Sequence, residues 1–165
     1  MAHKKSQERP GLKIYEVMAA SKEKIVDEHV DHLKDPANES NYPSYSRLDR
    51  EILRNRANLI YDMLEVVFLN GNRQHILCYA NYLARQRSLE GVGLSELCAA
   101  LRHTAENLKN NLLNHPNLSA YKERIHDEIG ITMQLILDET EDVYENIGIN
   151  DSESLAPTAR EHCLK

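Results

Sequence analysis

The chain has 165 residues, 41% of them hydrophobic and 28% charged, with a mean hydropathy of -0.58. That suffices for one domain enclosing its own core without disulfides or metal, and it leaves no need for a second. Only 5% of residues are aromatic, Trp is absent, and six Gly with five Pro are scarce for turn-rich β architecture, so helices are favoured. With 26 Asp and Glu against 20 Lys and Arg, the net charge of -6 argues against a general nucleic-acid binder, because phosphate neutralisation needs a basic face.

Cys78, Cys98 and Cys163 are far apart and form no CxxC pair, which fits a reducing cytosol. The first residues carry positive charge with no apolar run behind them. No apolar stretch approaches the roughly 18 residues that span a bilayer. The expectation is a cytoplasmic, unanchored protein that contacts neither membrane nor nucleic acid.

In chain order, residues 1–12 read as a disordered arm, residues 13–146 as one helical domain and residues 147–165 as a disordered tail. The first helix spans Lys13 to Lys34, with Ile14, Met18, Ile25, Val26, Val30 and Leu33 on one stripe, and stops near Asp35-Pro36. Pro, Asn and Ser collect between Asp35 and Tyr45, a predicted loop, after which Ser46-x-x-Asp49 offers an N-cap with an acid in the first turn. Helix two follows to Leu69, with Leu48, Ile52, Leu53, Ile60, Met63, Leu64, Val67 and Phe68 as its stripe and Asn70-Gly71 as its stop.

Asn72 caps a third helix that buries Ile76, Leu77, Ala80, Leu83 and Ala84 and ends at Gly91-Val92-Gly93. Helix four, Leu94 to Asn114, carries Leu94, Leu97, Cys98, Leu101, Ala105, Leu108 and Leu112 and ends before Pro116. Helix five, from Ser119 to Asn146, repeats Tyr121, Ile125, Ile129, Met133, Ile136, Val143 and Tyr144. The predicted fold class is an all-α, single-domain bundle of about five helices, for which globin-like packing is one arrangement.

Chemistry must come from polar residues within these stripes. Neither a Gly-x-Ser-x-Gly elbow nor a phosphate-binding glycine loop is present, and Cys78 and Cys98 lie in apolar patterns that suit small core residues better than nucleophiles, so catalysis has no candidate. Glu123-x-x-His126 is a single Glu-x-x-His, whereas a di-iron bundle needs two; His103 falls opposite the helix-four stripe and reads as exposed. No cofactor or metal is expected, and a metal- or haem-binding bundle is the weakest alternative.

The cations in the stripes are more informative. Arg56 lies four residues from both Ile52 and Ile60, Arg87 four after Leu83, Arg102 four after Cys98, and His29 four after Ile25. An unpaired charge at such positions costs several kcal/mol. Two readings follow: either internal pairing, for instance with Glu96 or Glu65, or stems that snorkel to the surface; or else convergence on a pocket that binds a small anionic ligand through bidentate hydrogen bonds, with Tyr79 and Tyr82 lining it. The acids Asp138, Glu139, Glu141, Asp142 and Glu145 form a further feature. At a helix C-terminus they oppose the macrodipole, and they offer a surface to a basic partner in an alternative reading as a structural adaptor.

The run Ala84-x-x-Arg87, Gly91-Val92-x-Leu94-x-Glu96-Leu97 and Ala100-Leu101-Arg102 resembles the helix-turn-helix centre of the RsbRD-type N-terminal sensory domain. That family supplies input domains to stressosome co-antagonist proteins and to some bacterial histidine kinases and regulators. The order and length of the flanking helices extend the resemblance over residues 14–146. His29 stands where family members often carry Trp, and no STAS, kinase or DNA-binding domain follows. The resemblance implies a free-standing, non-enzymatic domain that dimerises, meets a regulatory protein partner and signals through helix packing. Arg87 and Arg102, oriented by Glu96 and joined by Arg56, His29 and Tyr79, are the expected responsive site.

Overall fold

The computed structural model describes residues 9–154, with side chains described through residue 148. Five α-helices make up the described fold: α1 (Pro10–Lys34), α2 (Arg50–Asn70), α3 (Gln74–Leu89), α4 (Leu94–Leu113) and α5 (Lys122–Ser154). Among the described residues there is no strand. The protein is an all-α single-domain bundle with one hydrophobic core to which every helix contributes.

Each boundary has a local cause. Pro10 opens α1 at a position where its fixed φ suits a helix and its missing N–H has no partner to lose. Asp35 is extended before Pro36, which ends the helix. The cap of α2 is Asp49, whose carboxylate accepts from the Glu51 amide at 2.9 Å; Ser46 instead sits in a 3-10 turn and donates its hydroxyl to the Pro43 carbonyl. Gly71, at φ 75°, closes α2 in the left-handed conformation that glycine adopts without steric penalty. The N-cap of α3 is Arg73 rather than the predicted Asn72, which lies one residue earlier and accepts from the Gln74 amide at 2.9 Å through its carboxamide oxygen.

α1 and α2 lie antiparallel. Gly11 meets the end of α2 at Phe68, while Lys22 pairs with Asp62, Arg54 with Asp27 and Arg50 with Asp31. α1 also packs on α4, and α5 packs on both α3 and α4. Residues 35–49 hold two 3-10 turns and are tied down: Lys34 donates to the Ser46 and Leu48 carbonyls at 2.6 and 2.8 Å, and Tyr42 and Tyr45 are buried.

Helix five runs on to Ser154, beyond the predicted end at Asn146. Its acids therefore lie in the helix interior rather than the last turn, where the macrodipole has little hold on them. Asp138, Glu141, Asp142 and Glu145 face solvent, and Glu139 accepts from Asn81. Helix one likewise begins three residues before the predicted Lys13, at Pro10. The remaining residues of the predicted arm and tail, 1–8 and 155–165, lie outside the described residues, as does Cys163.

Candidate functional site

The cavity that brings together His29, Arg56 and Arg87 lies where four helices meet. It measures about 30 Å³ and is lined by His29 of α1, Arg56 of α2, Arg87 of α3, Thr104 of α4 and Tyr45 from the connection between α1 and α2, with leucines completing the wall. Pockets for drug-sized molecules are roughly ten times larger, about 300–1,000 Å³. The site admits water or a ligand of a few non-hydrogen atoms.

Arg87 is 6% exposed, at the centre of the buried face of α3. Its Nη1 pairs with Glu90 Oε2, one turn on in sequence, while Glu90 Oε1 lies 3.4 Å from Arg56 Nη2. One carboxylate thus bridges two guanidinium groups from different helices. The predicted orienting residue, Glu96, is elsewhere engaged: it is buried and its Oε1 accepts from the Ser44 and Tyr45 amides at 2.7 and 3.1 Å. A buried carboxylate is held by whichever donors reach it, and the loop amides reach Glu96 first.

Two guanidinium atoms have no partner among the described residues: Arg87 Nε and Arg56 Nη1, both shut off from solvent. Burial lowers the Arg56 pKa, the positive charge of Arg87 lowers it further, and Glu90 opposes both. Burial raises the pKa of the Tyr45 hydroxyl, which the charge of Arg87 partly offsets. Tyr79 is half-buried and feels the same balance, with burial raising its pKa against Arg87 and Arg56. Its neighbour Tyr82, at a ring separation of 6.2 Å, is exposed.

Arg102 is not part of this site. It is exposed and borders a surface groove between α4 and α5. A step of four residues advances a helix by about 40°, so a residue four beyond Cys98, itself at the edge of the buried arc, falls past that edge. Cys78 corrects the same reasoning, since it is exposed on the side of α3 away from Arg87. Cys98 is buried, as its position in the stripe predicts.

His29 joins the cavity to a cluster that periodicity did not bring together. It is 7% exposed, its Nδ1 lies 2.8 Å from His103 Nδ1, and its Nε2 lies 3.3 Å from the Thr104 hydroxyl. His103, expected in solvent, is half-buried and stacked on His32 at a ring separation of 3.6 Å. His32 contacts the Tyr42 hydroxyl and the Asn38 carboxamide. Burial holds the His29 pKa down at about 3, with His103 and His32 adding repulsion, and burial with His32 holds His103 at about 4. Among the described residues no three His, Cys, Asp or Glu side chains are placed to hold a metal ion. His126, the other metal candidate, is exposed beside Asp127.

The residues that sequence reasoning did not bring to the site are Glu90, Thr104 and His103. Glu90 left a local signal, the Arg87-x-x-Glu90 spacing that puts both side chains on one helix face. The others left none, because their partners come from another helix.

Fold and cavity together define the class: a small α-helical bundle with a charged, partly unsatisfied cavity at a four-helix junction. No protein-family model, curated protein or solved structure matches this chain. No helix among the described residues is long and apolar enough to cross a membrane.

Proposed function

We propose that this chain is a non-enzymatic regulatory module of the cytoplasm that binds a small ligand in the Arg56–Arg87 cavity and transmits binding through helix packing. The observation that carries the reading is the unpartnered Arg87 Nε in a residue only 6% exposed. A buried donor left unmade costs roughly 1–3 kcal/mol, more when charged, and a bound acceptor removes that penalty. A ligand there touches side chains from α1, α2, α3 and α4 at once. It therefore has differential contact with alternative packings of those helices, which is what a population shift requires. The resemblance of residues 84–102 to RsbRD-type sensory domains supports the same reading, and with it self-association and a regulatory protein partner.

The test is Arg87→Met. A neutral side chain of similar length removes the unmade donor together with the charge, and Glu90, 43% exposed, keeps Arg56 as its partner, so no buried carboxylate is left unpaired. The expected variant is at least as stable as the parent in urea, yet shows no change in the spin-label distance between α2 and α4 when ligand is added to both. A ligand-induced distance change that persists in the variant sinks the reading.

A further inference from the structure

The cavity also specifies the class of its ligand, an inference that rests on the regulatory reading above. We infer that the Arg56–Arg87 cavity binds a compact monovalent oxyanion, of the size and charge of formate, acetate or nitrate, at the unpartnered edges of the two guanidinium groups.

Charge comes first. Arg56 and Arg87 share a single carboxylate, Glu90, which is itself 43% exposed. The other buried carboxylate nearby, Glu96, is committed to the Ser44 and Tyr45 amides. One positive charge in the pair thus has no partner of its own, and one negative charge balances it. A dianion would bring a second charge with no cation to meet it, at the high penalty of an uncompensated buried charge.

Geometry comes second. Arg87 Nε and Arg56 Nη1 belong to guanidinium groups on neighbouring helices, and both residues line the cavity. An acceptor with two oxygens on one centre has lone pairs for a donor from each arginine. Size is third: a volume of about 30 Å³ excludes nucleotides, sugars and aromatic acids. Leu33, Leu53, Ile60, Leu83 and Leu97 form much of the wall, so the polar side chains open to a bound anion are the two arginines with His29, Tyr45 and Thr104, and only the arginines carry positive charge.

The experiment follows the thermal midpoint and calorimetric heat of the full chain at constant ionic strength, with sodium formate, acetate or nitrate, and separately with sulfate, phosphate or benzoate. A ligand that binds only the folded state raises the midpoint saturably. The expected result is a saturable response to the first three salts and none to the second three. Arg87→Met abolishes it, and Arg87→Lys, which keeps the charge but has no Nε, weakens it by about tenfold or more. Circular dichroism establishes that each variant is folded, and if the methionine variant is not, the lysine variant decides. The inference is overturned if no small monoanion gives a saturable response, or if the response is unchanged in the folded variants. A response to benzoate or a dianion that depends on Arg87, with none to the small monoanions, removes the ligand class and leaves the regulatory reading standing. Absence of any Arg87-dependent response to all six salts, together with an unchanged α2–α4 distance, removes both.

Discussion

His29 and His103 face each other through their Nδ1 atoms, 2.8 Å apart across the seam between α1 and α4. Two ring nitrogens in that position share one proton: one ring donates and the other accepts. A second proton there would break the contact and place a cation in a buried seam.

Stability should therefore fall on acidification, starting well above the range of carboxylate titration. Both histidines have folded-state pKa values below the ordinary 6.5, about 3 for His29 and about 4 for His103, so below pH 6.5 the unfolded chain binds protons that the folded chain does not. Their stabilising effect is complete above pH 6.5 and declines as pH drops toward the folded values. The slope from His29 is about 1.4 kcal/mol per pH unit, with a smaller, solvent-screened share from half-exposed His103. Urea midpoints between pH 7 and pH 5 check this against His29→Gln, which should show a flatter profile. Parallel profiles would remove the histidines from the account.

Glu90 should matter more than a surface acid usually does. Glu90→Gln leaves the adjacent Arg56 and Arg87 charges without their shared counter-charge, a loss of about 1–2 kcal/mol once the exposure of Glu90 is allowed for. Adding Arg87→Met should recover most of that loss, because the repulsion goes with the charge. Urea denaturation of the two single variants and the double variant measures the coupling; additive losses would show that Glu90 acts on neither arginine.

Glu96 is predicted to act through the connection between α1 and α2. Glu96→Ala removes the acceptor of two amides, at Ser44 and Tyr45, and should destabilise by about 2–4 kcal/mol, while Glu96→Gln, which keeps a carbonyl oxygen, should cost less than half as much. Hydrogen exchange at those two amides, faster in the alanine variant alone, distinguishes this role from a general loss of stability.

Two glycine substitutions should have opposite signs. A Cβ on Gly11 would lie 2.3 Å from the Phe68 carbonyl oxygen, so Gly11→Ala must push α1 off the end of α2, at about 1–3 kcal/mol of overpacking. Gly130 is exposed on α5 with nothing within 4 Å of an added Cβ, so Gly130→Ala should stabilise by about 0.5–1 kcal/mol. Thermal midpoints of the two variants moving in the same direction would contradict the α1–α2 approach.

The five helices were legible because helical periodicity and capping are local: Ile14, Leu64, Leu108 and Ile136 recur with their neighbours at spacings that one helix face must bury. Arg87 was legible for the same reason, sitting at the centre of its stripe. Arg102 was misread because spacing from one apolar neighbour does not say where the buried arc ends. That limit is set by how far the neighbouring helix reaches.

Sequence alone determined the helix count, most helix ends and the burial of Arg87, all consequences of the backbone's short-range repeat. Tertiary structure decided what those residues meet. Arg56 reaches Glu90 across 34 positions, His29 finds His103 across 74, and Glu96 holds amides 51 and 52 residues away. Such pairings depend on which helices pack together and at what register, and the free energy that selects them comes from burying the whole core rather than from any segment that one periodic pattern describes.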